Sequence, residues 1–295
     1  MPVERRFPVN SHSLNVAEFE CLTTHDGRST AGGTSTLVLL HGVTRRWQSF
    51  LPILQTLQQR HRLLLVDLRG HGRSDRAADS YFVCDYITDI VQLLRQHVEG
   101  TVHLYGHSLG AMTAAGVAAE LPQQVQSAVL EDPPFHTMGD RISQTSLHSY
   151  FANLATFAGH GETVEQAACS LGESTFSDPE TGQVFRLKDH RSEDQLRFAA
   201  ESLAQLDPAV FDSILSDQWL QGYDIDQIFG AIRSPVLVLQ ADPDAGGMLI
   251  DNDVKHVQSL NSQIRCEQFP RQPHGLHWMA TDAVTTAVQK FHNSI

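Results

Sequence analysis

Gly106-His107-Ser108-Leu109-Gly110 is the segment whose residue types and spacing point most directly to chemistry. A serine stands between two glycines, each two positions away. It follows a short apolar run, Val102-His103-Leu104-Tyr105, and precedes a small-residue helical stretch, Ala111 to Glu120. In that order of strand, turn and helix, G-x-S-x-G lifts a serine hydroxyl clear of a sheet on a sharp bend. The flanking positions must be small because larger side chains would collide across so tight a turn. A serine hydroxyl is too weak an acid to attack unaided, so it needs an adjacent base. The chemistry expected of Ser108 is nucleophilic attack, with a base and an orienting acid supplied from elsewhere in the chain.

Such a turn must stand on a sheet, and the chain supplies one. Thr36–Leu40, Leu63–Val66, Val102–Tyr105, Ala128–Leu130 and Val236–Leu239 are nearly continuous apolar runs. Strands buried on both faces read this way. Amphipathic stretches lie between them: Trp47 to Gln59, with Phe50, Leu51, Leu54 and Leu57, and Asp85 to His97, with Ile87, Ile90, Val91 and Leu94. The alternation predicts an α/β fold, a mostly parallel sheet with helices on both faces. Leu14 to Leu22 alternates in polarity and ends at His25-Asp26-Gly27, which reads as an antiparallel edge strand and turn. From about His136 to Phe229 there are helical patterns and no clear strand. A core of residues 1–135 and 230–295, with a helical cap inserted at 136–229, follows. Ile264–Phe269 is the last strand and Thr281 to Phe291 the closing helix.

Composition bounds the function. The 295 residues are 41% apolar and 19% charged, the balance of a globular protein long enough to bury a large core. A formal charge of −13 argues against nucleic acid and against an anionic membrane surface as partners. No apolar run approaches the roughly 20 residues that span a bilayer, and Met1 to Asn10 lacks the apolar segment of a signal peptide. Cys21, Cys84, Cys169 and Cys266 form no C-x-x-C pair. Neither zinc nor redox motifs are expected, and scattered thiols suit a reducing cytoplasm. There is no metal-ligand spacing, phosphate loop or dinucleotide fingerprint, so no cofactor or metal is expected.

The chain resembles the α/β-hydrolase superfamily, in particular its serine-nucleophile esterase and lactonase members. Four markers occur in the family's order: Leu40-His41-Gly42 at a strand end, Asp67-Leu68-Arg69-Gly70-His71-Gly72-Arg73-Ser74-Asp75 after the next strand, the 106–110 elbow, and Pro273-His274 after the last strand. The resemblance makes Ser108 the nucleophile and His274 the base, with His277 a supporting or structural histidine. It puts the acid in one of two places. Asp132 ends the strand after the nucleophile helix, in Leu130-Glu131-Asp132-Pro133-Pro134, and is favoured. Asp244, in the loop after Val236–Leu239, is the alternative, with Asp242 close by. The oxyanion hole is expected from the N–H groups of Val43 and Leu109. Trp47, Phe135 and Met138 are candidate pocket walls. Arg45 and Arg46 could grip a substrate carboxylate, although solvated arginines at a helix start are the expectation. Asp67 and His71 are expected to be structural, and Asp251 and Asp253 to be solvated at a helix start.

The function so implied is a serine hydrolase of a small carboxylic ester or lactone, working through an acyl-enzyme without a cofactor. Carbon–carbon bond hydrolases and perhydrolases share the scaffold. A receptor that captures a small ligand on an intact triad is the reading outside enzymology. Oligomeric state is left open.

Overall fold

The protein is described here as a computed structural model covering residues 2–22, 35–77, 80–159, 162–177 and 184–295. Ten strands are present among these residues: β1 (Val3–Val9), β2 (His12–Phe19), β3 (Ser35–Leu40), β4 (His61–Val66), β5 (Val102–His107), β6 (Val125–Glu131), β7 (Thr175–Ser177), β8 (Val184–Arg186), β9 (Val236–Ala241) and β10 (Ile264–Phe269). Eight of them form one sheet in the order β1-β2-β4-β3-β5-β6-β9-β10. The six strands from β4 to β10 in that order are parallel, and β1 and β2 join antiparallel.

The register aligns the strand ends that matter. Leu40 pairs with Gly106, His107 with Glu131, and Glu131 with Leu239. The segments that follow, His41-Gly42, Ser108, Asp132 and the loop after Ala241, therefore emerge side by side at the carboxyl edge. Ligand sites of open α/β sheets lie at this edge.

Alternation sends successive strand residues to two apolar layers. Val38, Leu40, Leu104 and Leu130 face one, while Leu37, Leu39, Tyr105 and Val129 face the other, and all are fully buried. The helices are α1 (Leu51–Gln58), α2 (Val83–His97), α3 (Leu109–Glu120), α4 (Leu147–Ala155), α5 (Val164–Glu173), α6 (Glu193–Ala204), α7 (Val210–Leu215), α8 (Ile225–Ala231), α9 (Asp251–Leu260), α10 (Leu276–Met279) and α11 (Thr281–Asn293). Helix α3 is buried from Leu109 to Ala118, as its Ala- and Gly-rich sequence permits. A Cβ on Gly116 would lie 2.2 Å from Ile87 Cδ1, so the close packing of α3 on α2 requires glycine there. Capping boxes start α5 (Thr163 with Gln166) and α6 (Ser192 with Gln195).

Several expectations need correction. The strand read at Leu14 to Leu22 is β2, which is internal; β1 is the edge, and its charged, Pro-containing sequence carries little strand signal. His25-Asp26-Gly27 lies outside the described residues. The helix read from Trp47 opens with a 3-10 turn, Trp47–Phe50, because Pro52 favours starting the α-helix only at Leu51. The 136–229 segment holds α4 to α7 and most of α8, which runs on to Ala231, but it also contains the β7–β8 hairpin, two three-residue strands too short to leave a periodic signal. Asp251 accepts from Gln240 Nε2 at 2.8 Å, and Asp253 is buried and paired with Arg141, so neither is merely solvated.

Candidate active site

The elbow forms because its backbone is strained and its flanks are bare. Ser108 adopts φ 54°, ψ −116°, a conformation unfavourable for any residue with a side chain. A Cβ at Gly106 would lie 2.1 Å from Gly110 O, and one at Gly110 would lie 1.9 Å from Leu40 O. Both glycines are thus demanded by backbone packed against backbone. Positive φ recurs close by at Thr44, Asp132 and Phe135. Strain of this kind concentrates where a fold holds functional groups in place.

Asp132 and His274 are brought together. His274 Nδ1 donates to Asp132 Oδ2 at 2.6 Å. The Asp132 carboxylate is fully buried and also accepts from Met248 N (2.8 Å), Ala241 N (3.2 Å) and Leu249 N (3.2 Å). Three backbone donors and one imidazole hold a single carboxylate in place, and the bond fixes the proton of His274 on Nδ1. Nε2 is left as the basic nitrogen. The Ser108 hydroxyl has no hydrogen-bond partner among the described residues; such contacts commonly tighten only once substrate is bound. Asp244 is exposed in a 3-10 turn, Pro243–Ala245, capped by Asp242. It does not meet His274.

The loop around Val43 is held by two buried histidines. His41 donates from Nδ1 to Gly42 O (2.8 Å) and accepts at Nε2 from Leu68 N (3.0 Å). His71 donates from Nδ1 to Arg69 O (2.8 Å) and accepts at Nε2 from Thr44 N (3.3 Å). Burial holds His71 down to about 4 and His41 well below the usual histidine range, so both rings stay neutral and can accept. His71 therefore ties the 67–75 turn to the loop around Val43. Asp67 supports the same region, accepting from Trp47 N, Arg73 N and Asn15 Nδ2. No described acceptor takes the Val43 N–H, and Leu109 opens helix α3, where the first N–H groups have no partner within the helix. The positive end of the α3 dipole lies at the same point.

Beneath His274 lies a second buried set. His277 gives its N and Nδ1 to Glu131 Oε1 at 3.0 and 2.8 Å, and Tyr105 donates to Oε2 of the same carboxylate. Burial alone would raise the Glu131 carboxyl, but its pairing with His277 and the hydrogen bond from Tyr105 outweigh that and hold it at about 2. His107 donates from Nε2 to the carbonyl of His274 at 3.2 Å, and burial holds its ring neutral. Ligating atoms of His107, Glu131 and His277 lie within 4.8 Å of one another. The sequence spacing gives no sign of this grouping. Both oxygens of Glu131 are already taken up by hydrogen bonds, which leaves the trio as a support for the His274 loop.

A cleft opens beside His274. Its walls include Arg45 and Ser49 from the core and Tyr150, Arg191, Gln195 and Phe198 from the 136–229 segment. Trp47, Phe135 and Met138 do not line it. The Trp47 ring is turned into the core against Phe19, and Phe135 packs edge-on against Phe229. Arg46 pairs with Glu201. Arg191 lies outside every motif, and only the folding of the inserted segment brings it to the cleft.

Comparison with known proteins places this geometry. The family model of the alpha/beta hydrolase fold matches residues 35–280. N-formylmaleamate deformylase of Pseudomonas putida is 26% identical over 259 residues, covering 86% of this chain and 87% of that protein. 2-(Acetamidomethylene)succinate hydrolase of Mesorhizobium japonicum is 34% identical over 130 residues, and the match spans only 42% of that protein's length and 44% of this chain. The crystal structure of an E-2-(acetamidomethylene)succinate hydrolase superposes with a TM-score of 0.76 at 22% identity, covering 99% of this chain and 100% of that one. An enol-lactonase from Burkholderia xenovorans superposes at 0.71 with 15% identity, over 98% and 100%. These two structural likenesses are likenesses of fold.

Proposed function

Because this chain belongs to the alpha/beta hydrolase fold family and is a hydrolase, we propose that it cleaves a small carboxylic ester or lactone through an acyl-enzyme on Ser108. The observation that carries this reading is the 2.6 Å bond from His274 Nδ1 to the buried Asp132 carboxylate, one residue-row from the strained serine. Ser108 Oγ attacks the carbonyl carbon as its proton passes to His274 Nε2. Asp132 stabilises the imidazolium that forms. The oxyanion meets the N–H groups of Val43 and Leu109, each donor worth about 2.7–4 kcal/mol in such sites. Collapse breaks the bond to the leaving oxygen, which takes the proton from His274. Water, deprotonated by the same nitrogen, then releases the acid and restores Ser108.

The 136–229 segment serves as a cap, since it supplies one wall of the cleft and would exclude water over it. It is tied to the core by Tyr81 OH on Asp207 (2.6 Å) and by the Arg141–Asp253 pair. A reducing, cytoplasmic setting suits four cysteines scattered through the chain without a C-x-x-C pair. Amide cleavage is the second reading, favoured by the deformylase relative; the same steps apply with His274 protonating a leaving nitrogen.

Steady turnover of p-nitrophenyl acetate and butyrate tests the proposal. Multiple turnovers by the native chain, abolished in Ser108→Ala, are expected. A single burst without turnover would replace the enzyme reading with that of a ligand-capturing receptor.

A further inference from the structure

The cleft carries positive charge that no described residue neutralises. Arg45 and Arg191 both line it, and among the described residues no Asp or Glu does. Neither guanidinium makes a hydrogen bond or ion pair with any described residue. The neighbouring arginines are satisfied: Arg46 pairs with Glu201, and Arg197 pairs with Glu165 and Glu201. The nearby acids are thus spent on other partners. Burial lowers the proton affinity of Arg45; Tyr150 works in the opposite direction, and nearby Arg191 lowers it further. Two like charges facing one partly enclosed space, in a chain of net charge −13, are a cost that an anion in the cleft would relieve.

The neighbours narrow the anion. Tyr150 lines the same walls and offers a hydroxyl, while Phe198, Leu196 and Trp278 add apolar surface. A guanidinium presents a planar fork that matches a carboxylate. His274 lines the same cleft, so an anion held there lies in the same cleft as the proposed base.

We propose that Arg45 and Arg191 form a carboxylate-binding site, and that the substrate is a small acid bearing a second, hydrolysable acyl group, such as a half-ester of a dicarboxylic acid. This rests on the reading of Ser108 and His274 as the reacting pair. One arginine comes from the core and the other from the 136–229 segment, so the anion bridges the two.

Monomethyl succinate and methyl butyrate differ only in a terminal carboxylate against a methyl group, and their hydrolysis is followed by pH-stat. The native chain should show kcat/KM at least about tenfold higher for monomethyl succinate, the range of a charge-assisted contact. That ratio should fall several-fold in Arg191→Gln and in Arg45→Gln, recover in part in Arg191→Lys, and decline with added sodium chloride. A ratio unchanged by either substitution, or a preference for the neutral ester, overturns the carboxylate site. If both esters turn over and Ser108→Ala abolishes both, the hydrolase reading survives that result. If neither ester turns over, calorimetry with succinate on the native chain still decides. Binding that disappears in Arg191→Gln supports the site, and no binding overturns it.

Discussion

Asp132 takes four hydrogen bonds on one carboxylate, and only one of them comes from His274. Asp132→Asn removes the charge that favours the imidazolium and disturbs the tautomer of His274. Its kcat should fall by about 10⁴-fold with the fold intact by circular dichroism. Asp244→Asn changes an exposed side chain and should stay within about twofold. Equal losses in the two variants would remove Asp132 from its assigned place. Glu131 is a different case. Glu131→Gln leaves buried His277 without its carboxylate and should cost about 3 kcal/mol or more in urea unfolding. The strained turn at Ser108 was legible from its G-x-S-x-G spacing, and the pairing of His274 with Asp132 from the late place of that histidine along the chain. Asp132 was legible from its strand end and the two prolines after it. Arg191 was not, since it lies 83 positions beyond Ser108 in a segment without a motif, and only tertiary folding places it in the cleft.

At the level of elements, the elbow depends on backbone approaching backbone. Gly110→Ala would drive a Cβ to 1.9 Å from Leu40 O and should destabilise strongly, or prevent folding. Gly100→Ala meets nothing within 4 Å and bears only the penalty of its positive φ, about 1–2 kcal/mol. Thermal unfolding of the pair separates steric need from conformational preference, and similar shifts would mean the elbow tolerates more than its geometry allows. The parallel strands were legible because burial on both faces leaves unbroken apolar runs. Strand β1 was not, because its side chains are largely exposed and charged. The β7–β8 hairpin escaped notice because three residues carry no period.

On the scale of the whole molecule, the end of the sheet remote from Ser108 has its own histidine cluster. His61, His103 and His292 pack with ring centroids 4.9–5.6 Å apart at the amino ends of β4 and β5 and the end of α11. Burial, followed by mutual repulsion, lowers His61 to about 4 and His292 to about 3, and burial lowers His103. The unfolded chain takes up protons near 6.5, while the folded chain resists until about 4 and below. Stability is therefore untouched by these groups above pH 6.5 and is lost as pH falls from there towards 3. Urea midpoints measured between pH 7.5 and 4.5 should decline on the acid side, and His292→Leu should flatten the slope. A slope that the substitution leaves unchanged would assign acid sensitivity to other groups.

The N–H groups of Met248 and Leu249 that steady Asp132 belong to the loop after β9, the same loop that holds Asp244. One strand end supplies the carboxylate, and the loop of the next is shaped to serve it. For a lineage to transfer that charge to the β9 loop, it would first have to leave three buried donors without an acceptor. The place of this carboxylate is therefore a property of two segments together.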